Sequence, residues 1–421
     1  MGRYFILRLF FGMFACLALI VFLPAQSARA GAQILNGQAD YTFGKPITFR
    51  ASLQSDATPV GALFFLRAEG IAETYSSDAK VISQNDLVFN FDLSFYPLRA
   101  FSKNEFWFSV TLADNSSITS PHFTFYYSDN RENWQTLDQG AFHLHWYQGD
   151  QAYAQTALDI AQRGWEKIHE ILPFQPPQNI QIYSYADPAI MQATLNVADK
   201  DFIAGHADPD LNLMIISVPP GPEQRLTMEQ RIPHELMHIL LFQALGQGYY
   251  KLPVWLNEGL ASISELNPNP DYQILIESAV KKGKLIPIQS LCQGFPLDIS
   301  GAQLSYAEAN YFTRYLYQQY GSDKLGSLLV SYTDGLSCER GTEVALGIPL
   351  DRLESAWRNP LVAEIIPHNP WTDLLPWFIL TLVVLILPVG LTRLGSWHRA
   401  RSVKISSDDQ TGDSREPQQA L

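Results

Sequence analysis

The chain is poor in cysteine, poor in positive charge and without internal repeats. It has three cysteines in 421 residues, and Cys16 lies in an N-terminal apolar run. Only Cys292 and Cys338 remain beyond that run, so one disulfide is the most the folded part can form. Lysine and arginine number 29 against 42 acidic residues, a formal net charge of −13. Nucleic acid needs a basic patch to neutralise phosphates, so it is not the expected partner. The absence of a repeat sets aside solenoid and array architectures. At 421 residues the chain exceeds one ordinary core, and two folded domains plus anchoring segments are expected.

Long apolar runs occur only near the two ends. Residues 1–30 read as a secretory signal: Arg3 and Arg8, an apolar run over 9–23, then Ala28-Arg29-Ala30 just before Gly31. The alternative is an uncleaved N-terminal anchor. Residues 374–391 are just long enough to span a bilayer, with Trp371 and Trp377 towards one end. Arg393, Arg399, Arg401 and Lys404 follow, which places the C-terminus in the cytoplasm and the bulk of the chain outside it. The expected localisation is therefore a single-pass cell-membrane protein with an extracytoplasmic folded part. In that compartment Cys292 and Cys338 are expected to pair. Residues 359–373 read as a linker and 392–421 as a disordered cytoplasmic tail.

Between the ends the pattern changes once. Over 31–138, short runs of strand formers such as Leu63-Phe64-Phe65-Leu66 and Phe106-Trp107-Phe108-Ser109-Val110 alternate with turns such as Asp114-Asn115-Ser116. Such spacing predicts an all-β, immunoglobulin-like sandwich. No titratable cluster stands out in it, so a spacer or binding module is its expected role. From 139 to 358 the pattern is mixed: strands near 142–147, 179–185 and 211–218, a helix over 152–172 with Leu158, Ala161, Trp165, Ile168 and Leu172 at helical spacing, then mostly helix after 226.

Chemistry concentrates at His234-Glu235-Leu236-Met237-His238. Four residues along a helix bring His234 and His238 to one face, one turn apart, the spacing for two imidazoles on one zinc ion. Glu235 stands where it can reach water beside that ion. After 19 further residues comes Glu258, within Trp255-Leu256-Asn257-Glu258-Gly259-Leu260-Ala261. A third ligand from a second helix leaves the fourth position open, as a catalytic zinc site requires. Pro233 directly precedes His234 and either starts the helix or kinks one already begun. Asn257 and Ser262 are candidates to support the ligands. His143, His145 and His206 read as structural or solvated, His206 in a Gly-His-Ala-Asp loop beside the cleft.

On these motifs the chain resembles the gluzincin metallopeptidases, and within them the bacterial peptidase-MA-like family. The resemblance covers about 140–358. Weaker marks are Leu304-Ser305-Tyr306-Ala307-Glu308-Ala309, Tyr320-Gly321, Ala345-Leu346-Gly347 and Trp357-Arg358. It implies an α+β, thermolysin-like domain binding one Zn2+ through His234, His238 and Glu258, with Glu235 as general base and a peptide or protein as substrate. It further implies that Tyr306 stabilises the oxyanion and that residues 211–218 form the edge strand beside the cleft. The G-x-M-E-N motif that holds a free amino terminus is missing, so an endopeptidase is expected rather than an aminopeptidase. The competing class is a non-catalytic extracytoplasmic binding or scaffold protein with a degenerate peptidase domain. The intact Glu235 argues against it, because metal binding alone does not need that residue.

Overall fold

The computed structural model of the chain describes residues 32–83, 85–195, 205–365 and 370–407. The expected signal at 1–30 lies outside them.

Among the described residues nine strands form the N-terminal unit: β1 Gln33–Asp40, β2 Ile47–Gln54, β3 Pro59–Arg67, β4 Tyr75–Asp78, β5 Lys80–Ser83, β6 Asp86–Phe91, β7 Ser102–Leu112, β8 Ser117–Thr119 and β9 Phe123–Tyr127. One sheet has the order β1-β2-β6-β5. The other has the order β4-β3-β7-β8, with β9 also on β7. Strict alternation in β7 sends Phe106, Phe108, Val110 and Leu112 inward. The sheets close over a phenylalanine core in which the rings of Phe49 on β2 and Phe64 on β3 lie 4.7 Å apart.

A third sheet follows: β10 Gln135–Gln139, β11 Phe142–Trp146, β12 Ile180–Tyr185, β13 Gly205–Asp208 and β14 Leu213–Ser217, in the order β10-β11-β12-β14-β13. β11, β12 and β14 are parallel, while β10 and β13 run antiparallel at the two edges. The boundary expected at 138/139 therefore cuts through β10, which pairs with β11 from Gln135 onward. The expected edge strand is corrected as well. Residues 213–217 are interior and wholly buried, and β13 is the edge. Both faces of the sheet are covered, which is why β14 reads as an unbroken apolar run. Ile182, Met214 and Ile216 face the helices. Tyr185, Leu213 and Ile215 join the core of the sandwich.

The sandwich is thus built onto the third sheet rather than strung before it. Phe101 stacks on Tyr183 at 3.5 Å between ring centroids. The buried Asp129 carboxylate accepts from Arg131 at 2.6 Å and from the Tyr185 hydroxyl at 2.9 Å. Arg99 reaches from the sandwich to Asp210 at 2.8 Å and to Asp208 at 3.6 Å, at the end of β13.

Helix α1 (Gln151–Ile171), capped by the Asp150 side chain, covers the inner face of the sheet, and α2 (Pro188–Thr194) follows β12. The long α3 (Gln224–Leu245) carries Pro233 inside it. Proline has no N–H, so the Glu229 carbonyl one turn back is released from the helix. It accepts instead from Leu266 N at 2.9 Å, just past the end of α4 (Val254–Ser264). The Ser264 hydroxyl donates to the Pro233 carbonyl at 2.9 Å. The proline therefore ties α4 to α3 rather than breaking the helix.

Next come α5 (Asp271–Lys282) and α6 (Ile299–Thr333), the latter two helices joined at non-helical Gly321. A Cβ on Gly259 would lie 2.0 Å from Thr313 Oγ1, so α4 and α6 approach this closely only over glycine. The last elements are α7 (Cys338–Leu346), α8 (Leu350–Ile365) and α9 (Pro370–Ser407). Cys292 is bonded to Cys338.

The expected linker begins too early, because α8 continues through Pro360 to Ile365. Leu361 and Ile365, one turn apart, pack on Ile276 and Val280 of α5. Of the segment expected to be a disordered tail from 392, the part up to Ser407 is helical and belongs to α9; residues 408–421 lie outside those described. Among the described residues one helix is long and apolar enough to cross a membrane. Its window is Leu374–Arg393, with mean hydropathy 2.5 and none of it buried.

Candidate metal centre

His234 and His238 leave α3 one turn apart, with ring centroids 5.2 Å apart. The packing of α4 on α3 brings Glu258 opposite them. Glu258 Oε2 lies 3.5 Å from His234 Nε2 and 3.7 Å from His238 Nε2. One donor atom from each of the three falls within 4.8 Å of the others. Donors around a tetrahedral zinc ion, at bonds of about 2.0–2.2 Å, stand roughly 3.4 Å apart. The set fits such an ion in both chemistry and spacing.

The other imidazole nitrogens are committed to acceptors. His234 Nδ1 donates to Glu265 Oε1 and His238 Nδ1 to Asn257 Oδ1, each at 3.1 Å. Both Nε2 atoms are thereby turned toward Glu258. Of the two residues expected to support the ligands, Asn257 meets a histidine. Ser262 does not: it is buried against Tyr272 and meets neither histidine. Glu265 was missed because it belongs to neither motif. Its position at the end of α4 depends on the Pro233–Ser264 tie. Burial opposes charge on His234, yet hydrogen bonds to Glu258 and Glu265 and the charge of Glu235 hold its pKa well above the ordinary value. Burial likewise opposes charge on Glu258, but the two histidines hold its carboxyl below the usual range.

Residues 160–363 match the Peptidase MA superfamily. This peptidase-MA-like region contains all three ligand candidates, α3 to α7 and most of α8. No curated protein matches the chain. Among solved structures it is similar to OgpA from Akkermansia muciniphila, at 13% identity over 24% of this chain and 30% of that one, TM-score 0.20. It is similar to a polysaccharide deacetylase from Bacillus cereus at 12% identity over 40% and 55%, TM-score 0.19. An aminopeptidase N family protein from Idiomarina loihiensis is 10% identical over 82% and 75%, TM-score 0.28. The chain spans less than a third of the length of OgpA. Likenesses this distant carry nothing about its chemistry.

The ligand candidates open on a cavity of about 530 Å³. Gly205, His206 and Ala207 of β13 form one wall, α3 the floor, and Tyr272, Ala302, Gln303 and Tyr306 the far side. Glu235, on the same turn as His234, is 7% exposed and faces this space. A Cβ on Gly205 would come within 2.4 Å of Glu235 Oε1, so glycine at the start of β13 lets the carboxylate stand beside the edge strand.

Tyr306 lines the cavity, its ring 6.4 Å from that of His234 and packed edge-on against Phe295. The charge of Glu258, then burial, hold its hydroxyl protonated far above the ordinary range. Tyr311 is not in the cavity wall and packs beside α5. A second tyrosine went unnoticed in the sequence: the Tyr249 hydroxyl accepts from Asn257 Nδ2 at 3.1 Å and lies 3.4 Å from His238 Nδ1. His206 belongs to a strand rather than a loop, with Nε2 3.5 Å from Asp208. His143 and His145 bond to Asp138 and Gln181, outside the cavity wall.

Proposed function

We propose that the chain is a membrane-anchored zinc metallopeptidase, an endopeptidase, with its catalytic domain outside the cytoplasm. The observation that carries this reading is the convergence of His234, His238 and Glu258 with Glu235 in one cavity lined by β13. Among the described residues β13 pairs with β14 alone, and an extended peptide can add along its other side.

Zinc held by His234, His238 and Glu258 would polarise the scissile carbonyl and acidify a water. Glu235 takes the proton from that water and returns it to the leaving amine. The Tyr306 hydroxyl, kept protonated by the acids around it, donates to the oxygen on which negative charge develops. Glu265 and Asn257 hold the imidazoles in the tautomer and orientation that binding needs. The lack of a motif for a free amino terminus favours internal cleavage.

The membrane assignment rests on the unburied apolar stretch of α9 and the arginines and lysine that follow it. A Cys292–Cys338 bond agrees with an oxidising compartment. Metal content tests the reading. Purified full-chain protein should hold about one zinc per chain and the His234→Ala/His238→Ala double variant almost none. Equal zinc in both would reject the site.

A further inference from the structure

Arg231 lies one helical turn before Glu235, so both side chains leave the same face of α3 and line the same cavity. Its Nη1 donates to the carbonyl of Ser217, the last residue of β14. That places the guanidinium near the Gly205 end of the edge strand, since Gly205 pairs with Ile216. A guanidinium has five N–H donors in a rigid fork. Among the described residues Ser217 accounts for one of them, and the remaining nitrogens are not sealed in protein.

The neighbouring cations differ in one respect. His206 has Asp208 at 3.5 Å, and Arg99 has Asp210 at 2.8 Å. Among the described residues no carboxylate lies within ion-pair distance of Arg231. Glu235 acts on it only through charge at longer range, and burial disfavours its charged form. A guanidinium does not lose its proton to relieve that cost. It is a half-buried, permanently charged fork with no counter-ion among the described residues, facing the space where substrate is expected.

We propose that Arg231 is the specificity residue of the cleft and binds a substrate carboxylate close to the scissile bond. This rests on the peptidase reading and names its substrate class: peptides carrying that carboxylate on an Asp or Glu side chain, or at a free C-terminus. A carboxylate meets the fork with two parallel hydrogen bonds, which a neutral amide cannot reproduce. A peptide laid along β13 brings the residue nearest Glu235 and Gly205 within reach of the guanidinium.

The test uses zinc-loaded full-chain protein in detergent and four peptide hydroxamates on one scaffold. These carry a Glu or a Gln side chain next to the metal-binding group, each with a C-terminal carboxylate or amide. Binding is read by titration calorimetry, which needs no turnover. Wild type should prefer the acid over its neutral counterpart by at least roughly tenfold, a typical worth of a charge-assisted pair. A preference that follows the side chain assigns the carboxylate there; one that disappears on amidation assigns it to the terminus. Arg231→Gln keeps a donor for Ser217 and should lose the discrimination at unchanged zinc content. Arg231→Lys keeps the charge without the fork and should retain part of it. Equal binding of acid and amide, discrimination that survives Arg231→Gln, or no binding to zinc-loaded protein would each overturn the proposal. Casein hydrolysis by the same preparation reports separately on the peptidase reading. Hydrolysis without discrimination rejects the carboxylate assignment alone.

Discussion

Glu308 gives the sharpest stability prediction. It is fully buried on α6, and its Oε1 accepts from Ile286 N at 2.7 Å. Arg358 lies 3.6 Å from its other oxygen, which argues for an ionised carboxylate. That distance is too long for a hydrogen bond, and Arg358 is closer to Glu354, at 2.7 Å. Burial therefore prevails and pushes the Glu308 carboxyl from the usual 4.5 up to about 7. In the unfolded chain the group ionises through pH 4.5, whereas in the folded protein it keeps its proton until about 7. Unfolding between those values releases a proton, so stability falls as pH rises across that window and is level above it. At 1.36 kcal/mol per pH unit the fall is about 3 kcal/mol. Glu308→Gln keeps the carbonyl that accepts from Ile286 but cannot ionise. Relative to wild type it should gain about 3 kcal/mol between pH 4.5 and 8, or roughly 6–12 °C in melting temperature. The assay is thermal melting followed by circular dichroism, with chelator present in both proteins so that metal effects cancel. A variant less stable than wild type by the same amount at every pH would refute the reasoning. It would mean that Arg358 holds an ionised Glu308.

Three further outcomes are expected. Tyr306→Phe should lower kcat by roughly a hundredfold at unchanged zinc content, the usual cost of one oxyanion donor, while Tyr311→Phe changes little. Casein kinetics with metal analysis check both, and a normal Tyr306→Phe enzyme would remove Tyr306 from the mechanism. Asp129→Ala should cost about 3 kcal/mol in chemical denaturation, because it strips a buried carboxylate from Arg131 and Tyr185 where the sandwich meets β12. A loss below about 1 kcal/mol would show that the sandwich is held without it. Protease added outside intact cells or spheroplasts should digest the folded domains and spare a C-terminal tag, whereas protection of those domains would reverse the assigned orientation.

The ligand candidates were legible because their geometry is local. His234 and His238 share a helix face by spacing alone, and Glu258 stands in a short motif on the next helix. Asn257 could be named for the same reason, being adjacent to Glu258. Glu265 and Tyr249 could not. Each reaches an imidazole through the packing of α4 and of the turn after α3, and no periodicity encodes that. The β-rich and helical halves were readable from alternation and helical spacing. The edge strand was misplaced because the apolar run at 213–217 gives a strong strand signal, whereas the true edge, Gly205–Asp208, is four residues long and polar. The union of sandwich and sheet was hidden too. Asp129, Arg99 and Phe101 act across long sequence separations, and each looks like an ordinary loop residue in isolation. Glu235 was visible in its motif, but its closeness to Gly205 appears only where β13 passes the carboxylate.

The central claim is hydrolysis by a metal site with Glu235 as base, and one measurement addresses it directly. Casein turnover is followed for the full-chain protein as purified, after chelation and after zinc is returned, alongside Glu235→Gln with its zinc content determined. The account predicts turnover that disappears with chelator and returns with zinc. It predicts a Glu235→Gln protein that binds zinc normally and hydrolyses nothing, since glutamine cannot accept the proton. Turnover by Glu235→Gln equal to wild type, or turnover indifferent to chelator, would contradict it.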